Sequence, residues 1–122
     1  MTKAAKLSEA NLSQFTGTEY WHRHGINRNV VFTDGAKYVA DEGGAYWLLD
    51  AIAIAQRFEK NVAAEEFQVW TLKVNEDRSA SLVSDDGNGN IVYTQHIAFT
   101  DFPLDEIKFY FTDNTILLPS EY

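Results

Sequence analysis

"AKYVADEGGAYWLLDAIAIAQRFE", residues 36–59, is the one stretch with a sustained helical period, and the fold turns on how it is read. Trp47, Ala51, Ile54 and Phe58 fall on one stripe, with Leu48, Ile52 and Ala55 beside it, as a 3.6-residue repeat requires. Leu49 and Ala53 are apolar as well, so the helix should be covered on more than one side, either as the central core helix or as part of an interface. A break or restart is expected at Gly43-Gly44. Its apolar centre, "AYWLLDAIAIA", is 11 residues long and interrupted by Asp50, too short to span a bilayer.

Upstream of this segment, Ser8 followed by "EANLSQF" reads as an N-cap and a short helix with Leu12 and Phe15 on one side. "TEYWHRH" (18–24) and "NVVFT" (29–33) read as extended pieces separated by the turn-prone "GINRN". Downstream the period changes towards two: "FQVWTLKV" (67–74) alternates Gln68, Trp70, Leu72 and Val74 against Phe67, Val69, Thr71 and Lys73. "SASLVS", "IVYTQHIAF", "IKFYF" and "TILL" follow, with Pro103 and Pro119 outside the runs. Elements arriving in blocks predict an α+β fold: one long core helix on a mainly antiparallel sheet of about five to six strands, with a short N-terminal helix. At 122 residues the chain is read as a single domain, 1–122, with residues 1–7 flexible.

Composition narrows the function classes. Apolar residues make up 45% and charged residues 23%, with eight Phe, six Tyr and three Trp, which is the composition of a folded chain. The absence of cysteine excludes disulfides and thiolate zinc sites and suits a cytoplasmic location. The N-terminus lacks the apolar region of a signal peptide. Net charge is −8, unevenly spread: residues 1–40 carry three acids and five bases, and residues 41–122 carry fifteen acids and five bases. Such a surface disfavours direct contact with nucleic acid or anionic membranes and steers basic partners towards it. No phosphate-binding glycine loop, nucleophile elbow, cysteine nucleophile or His-Glu-x-x-His helix is present. Tyr20, Trp21, Tyr38, Tyr46, Trp47 and Trp70 could stack bases, but basic residues do not flank them, and core packing explains them more simply.

Three features could carry chemistry. "SLVSDDGNGNIVY" (81–93) has the look of a calcium loop, but from Asp86 the sixth position is Ile91 and the twelfth Ile97, where glycine and a bidentate glutamate are needed. Asp-Gly and Asn-Gly favour hairpin turns, so the segment is read as a hairpin tip, with Ala80, Leu82, Ile91, Tyr93 and Ile97 on one face. "FTD" occurs at 32–34, 99–101 and 111–113; three carboxylates could meet at one end of a sheet, though Asx-turns closing strands explain the repeat more simply. "YWHRH" places His22 and His24 on one face of a strand, where a metal would need a third ligand such as His96 or a carboxylate. Asp50, between Leu49 and Ala51, needs a hydrogen-bonding partner if buried. It could act as a general acid or base with His22, His24 or Arg23, or it could tie the helix to the first strand or face solvent on the thin polar side with Arg57, at i+7.

The segments "FTGTEYWHRH", "FTDGAKYVA", "GAYWLLDAIA", "FQVWTLKV", "DDGNGN", "TDFPLDEIKFY" and "ILLPSEY" together resemble an uncharacterised family of small bacterial and mobile-element proteins, a domain of unknown function. The likeness runs from about residue 13 to the C-terminus and carries over no catalytic or binding residue. It implies a bacterial setting, with phage or plasmid origin in view.

The leading expectation is a non-enzymatic protein that binds a basic protein or nucleoprotein complex. Among such proteins, a phage or mobile-element inhibitor of a nucleic-acid-handling defence complex, an anti-CRISPR-like nucleic-acid mimic, fits by size and charge. The residues expected to make the contact are Asp85 and Asp86 at the tip, Asp101, Asp105 and Glu106, and Glu65 and Glu66. No cofactor and no metal is expected on that reading. The alternative is a small enzyme or metal-binding domain built on His22, His24 and Asp50; a third is self-association, such as a homodimer through the apolar helix.

Overall fold

The computed structural model describes residues 7–17 and 20–122. Its elements, in chain order, are α1 (Glu9–Leu12), β1 (Trp21–Arg23), β2 (Val31–Thr33), α2 (Asp34–Gly43), α3 (Tyr46–Phe58), α4 (Lys60–Ala63), β3 (Phe67–Val74), β4 (Ala80–Asp85), β5 (Ile91–Ile97), β6 (Glu106–Thr112) and β7 (Thr115–Leu117), followed by a 3-10 turn, Pro119–Glu121. Seven strands form one sheet in the order β1-β2-β7-β6-β3-β4-β5. Every pairing is antiparallel except β2 with β7. The α+β class is as expected; the sheet is larger, because Trp21–Arg23 and Val31–Thr33 both join it, as β1 and β2.

The expected long helix is two helices. Gly44 takes the left-handed conformation (φ 62°) that ends α2, its N–H bonding back to the Ala40 carbonyl, and α3 starts afresh at Tyr46. The buried face of α3 also differs from the expected stripe. Leu48, Leu49, Ile52, Ala53 and Ala55 enter the core, whereas Trp47, Ala51 and Ile54 are half-buried and Phe58 is 73% exposed. Hydrophobic periodicity identifies a helix but cannot choose between two adjacent apolar stripes; the direction of the sheet does. Ser8 caps α1 as expected, its Oγ accepting the Asn11 N–H at 3.2 Å. Of the segment expected to be flexible, residues 1–6 lie outside the described residues, and Leu7 is buried in the core.

One sheet face carries Phe32, Trp70, Leu72, Ala80, Leu82, Ile107, Phe109, Phe111 and Ile116 against α2 and α3 in a single core cluster. The other carries Phe67, Val69, Thr71, Lys73, Ser81, Val83, Asp85, Glu106, Lys108 and Tyr110, half-buried or exposed. Ile91 is on this outer face, not the core face, and is 65% exposed. The register slips between Ser84 and Asp85: Ser84 pairs with Tyr93 and Asp85 with Ile91, which leaves Val92 as the extra residue of a bulge and inverts the alternation. No helix among the described residues is long and apolar enough to cross a membrane.

Two polar devices lock the layers. Gln68, fully buried on β3, donates to the carbonyls of Val62 (2.7 Å) and Glu65 (3.1 Å) and exchanges hydrogen bonds with Gln56 of α3, while its Oε1 accepts the Trp70 indole N–H at 2.9 Å. At the start of α2, the Glu121 carboxylate accepts from the Thr33 hydroxyl (2.6 Å), the Gly35 N–H (3.1 Å) and the Leu118 N–H (2.9 Å). A carboxylate there also meets the positive end of the helix. Along the β5 edge, α3 runs antiparallel to the strand. Trp47 shares a groove with Gln95, Ile97 and Phe99, and the charge of Glu59 reaches Tyr93, whose phenol is raised from 10.0 first by burial and then by that charge.

Candidate functional site

The turn after β1 is organised around His24, which is 3% exposed. Its Nδ1 accepts the backbone N–H groups of Ile26 (3.1 Å) and Asn27 (3.0 Å). The ring proton therefore sits on Nε2 and is donated to Asp50 Oδ1 at 2.8 Å. Asn27 adds a second tie to α3, its side-chain N–H donating to the Ala53 carbonyl at 2.9 Å. Arg23 turns instead to the Arg28 carbonyl. With both ring nitrogens engaged, His24 has no free lone pair for a substrate proton or a metal. The chemistry it performs is to pin the β1–β2 turn to α3.

His22 shares the strand face, stacks near Phe32 (ring centroids 5.5 Å apart) and pairs with a different carboxylate, Asp34 Oδ1, at 2.9 Å. His96 is on β5, at the opposite edge of the seven-stranded sheet from β1, about 29 Å away across six strand intervals. Among the described residues no three His, Asp or Glu side chains converge as a metal would require. The three "FTD" aspartates do not gather either: Asp34 opens α2, Asp113 is in the β6–β7 turn at the other end of the β2–β7 pair, and Asp101 follows β5. The Asp50 tie makes a stability prediction. Asp50→Ala should cost about 2 kcal/mol by stranding a buried N–H, whereas Asp50→Asn, which keeps an acceptor, should cost less than about 1 kcal/mol. Equal losses in urea denaturation would assign the role to charge rather than to acceptance.

The acidic residues separate into two groups. Glu65 and Glu66 precede β3, and Asp85 and Asp86 close β4 and open the tip, at the end of the sheet that also holds the β6–β7 turn. Asp101, Asp105 and Glu106 are at the opposite end, where the Val74 N–H bonds to the Asp105 carbonyl. The length of β3, eight residues, puts roughly 23 Å between the groups. Lys73 and Lys108 lie on the outer face between them, Lys73 within 4.0 Å of Glu106.

The segment 86–90 is a hairpin tip shaped by its own aspartates. Asp85 Oδ1 accepts the Gly87 N–H at 2.7 Å; Asp86 accepts from the Asn88 N–H at 2.8 Å and the Asn90 side chain at 2.8 Å, with Gly87 and Gly89 both at positive φ. The bond from the Asn90 side chain, then that from the Asn88 backbone, holds the Asp86 carboxyl below its ordinary 3.8. The tip leans over Phe67: a Cβ added at Gly87 would come within 3.0 Å of that ring.

Two partners of this end were not among the expected contact residues. Asp113 is carried there by a two-residue hairpin turn in which Asp113 and Asn114 both have positive φ (53° and 57°), and "DN" between two β-rich runs is the signal that could have found it. Phe67, Tyr110 and Tyr122 form a mutual aromatic triad on the outer face, with centroids 5.0 to 5.4 Å apart. Tyr122 arrives from the C-terminal turn, which no local pattern predicts. Comparison with curated proteins and with solved structures finds no significant match. Residues 6–122 match DUF6876, a family of unknown function, and the chain belongs to that family.

Proposed function

We propose that this protein is a non-enzymatic binding domain for a basic protein, and that the partner docks at the end of the sheet holding Glu65, Glu66, Asp85, Asp86 and Asp113. The observation that carries this reading is the aromatic triad Phe67, Tyr110 and Tyr122 on the sheet face opposite the helices, at the end of the sheet where Asp85 and Asp86 shape the tip and Glu65, Glu66 and Asp113 line a groove with Gln56, Ala63 and Phe111. An apolar centre with a charged rim suits a partner with basic side chains around an apolar anchor. The narrower reading, a mobile-element inhibitor that imitates nucleic acid, rests on size and net charge. It would call for a continuous track of carboxylates, and here two acidic groups about 23 Å apart have lysines between them. A catalytic or metal site on His22, His24 and Asp50 would need the lone pair that His24 gives to its own turn.

Affinity capture from a lysate of the source organism tests the proposal, comparing the wild type with Glu65→Lys/Glu66→Lys/Asp113→Lys and with Asp101→Lys/Asp105→Lys/Glu106→Lys. The first variant should weaken capture of a basic protein tenfold or more, roughly the loss expected on breaking a few close charge pairs, and the second should not. Capture should also fall as salt rises. A partner retained equally by both variants would overturn the proposal.

A further inference from the structure

We infer that the basic partner presents a proline-rich segment in the polyproline II conformation, seated on the outer sheet face between Trp21 and the aromatic triad, with a basic side chain beside Asp113. This rests on the function proposed above and names the element by which such a partner is held.

Strand register builds the seat. Trp21 pairs with Thr33 and Tyr110 with Leu117, and the β2–β7 register, continued one step past Phe32 and Ile116, sets Thr33 beside Leu117. Phe32 and Ile116 belong to the core cluster, so Thr33 and Leu117 belong to the outer face. Trp21 and Tyr110 therefore stand in one row, three strand intervals or about 14 Å apart, with Thr33 and Leu117 as the floor between them. Trp21, on one wall, is 58% exposed, and Tyr122, packed on Tyr110 at the other, is 73% exposed. Tyr122 follows directly on Glu121, whose carboxylate is tied to Thr33, Gly35 and Leu118, so this wall is in place before anything binds.

The floor selects the backbone of the occupant. β2 lies between β1 and β7, and β7 between β2 and β6, so the peptide groups beneath the groove are already paired and no strand can be added there. An occupant held by side-chain contacts alone needs a backbone that requires no ladder partner. Polyproline II is such a backbone, with no internal hydrogen bonds and a solvated main chain, and its prolines dock between aromatic rings.

Charge fixes what flanks the prolines. Thr112 and Asp113 line both this groove and the acidic one of Glu65 and Glu66, so the two are continuous over the β6–β7 turn. Among the described residues, neither groove is lined by a lysine or arginine. Arg23, on the face of Trp21, bonds to the Arg28 carbonyl; Arg57 and Lys60 share helices with Gln56 and Ala63 but do not line the acidic groove; Lys108 lies beside Pro119 and Ser120, in the opposite direction along β6 from Asp113. From Leu117 to Asp113 is about 10 Å along the strands, or about three residues of polyproline II at roughly 3.1 Å each. The basic residue should therefore follow or precede the seated proline by about three positions.

Fluorescence polarisation with three labelled peptides tests this: a proline-rich peptide with arginines at that spacing, the same peptide with every proline replaced by alanine, and the same with its arginines replaced by glutamates. The first should bind at least about tenfold more tightly than either of the others. Trp21→Ala and Tyr122→Ala, on opposite walls, should each weaken it about tenfold or more with circular dichroism unchanged. An alanine peptide bound as tightly as the proline peptide, or two silent wall variants, would overturn the inference while leaving a basic partner in place. Arginine and glutamate peptides bound equally would sink that underlying reading as well. Absence of binding by all three peptides would also overturn the inference, and lysate capture would then judge the reading alone.

Discussion

Trp70→Ala should destabilise the protein by about 4 kcal/mol, towards the upper end of what single core substitutions cost. The indole is fully buried at the centre of the sheet, on β3 between β4 and β6. Its removal opens a cavity beneath α3 and withdraws a ring from Tyr93, whose centroid is 5.7 Å away. It also strips a donor from Gln68 Oε1, although the Gln56 side chain still reaches that oxygen at 2.8 Å. The loss should therefore be mostly apolar, and Trp70→Phe, which keeps a ring but not the N–H, should recover more than half of it. Guanidinium denaturation followed by circular dichroism is the suitable measurement, because the substitution removes the most buried fluorophore. A loss below about 2 kcal/mol would mean that the core closes over the vacancy. Against a total stability of about 5–15 kcal/mol, the expected loss brings the variant near the limit of folding.

The second large effect concerns Gly35. In most helices Gly→Ala stabilises by up to about 1 kcal/mol, but here a Cβ would lie 2.5 Å from Glu121 Oε1 and 2.8 Å from Leu118 Cδ1. Glu121 is the flexible partner, yet its carboxylate is held by three donors, and Leu118 is buried. Gly35→Ala must therefore displace the cap, at a net cost of about 2 kcal/mol. The diagnostic is non-additivity. In a Glu121→Ala background the carboxylate is already gone, so the same substitution should cost at least about 1 kcal/mol less. Additive losses would locate the clash at Leu118 instead.

That pair of residues also shows where a sequence reading stops. The alternation of "FQVWTLKV", the Gly43-Gly44 break, the Ser8 cap and the hairpin character of "DDGNGN" were all legible, because each depends on neighbours a few residues apart. The tie from Asp50 to the first strand was one of three readings open for that residue, beside an acid–base role and a solvent-facing place with Arg57, and the hydrogen bond from His24 forms that tie. Contacts that span the chain left no such trace. Glu121 caps a helix 86 residues earlier, Tyr122 completes an aromatic triad begun at Phe67, and a bulge one residue long moved Ile91 to the other face. The acidic residues illustrate the same limit, since net charge says how many carboxylates there are and only the strand order says which of them are neighbours.

The place of β7 in the strand order has a consequence for how the chain folds. The meander β3–β4–β5 pairs through local turns and β6 closes on β3 across 33 residues or more, Lys73 meeting Glu106, but β1 and β2 reach the rest of the sheet only through β7, where Val31 meets Thr115 across 84 residues. Closing a loop of that length is slow and is rewarded only when both ends are present. During synthesis the first strands emerge long before the residues that will receive them, and β2 waits with one side of its backbone unpaired until β7 has been made.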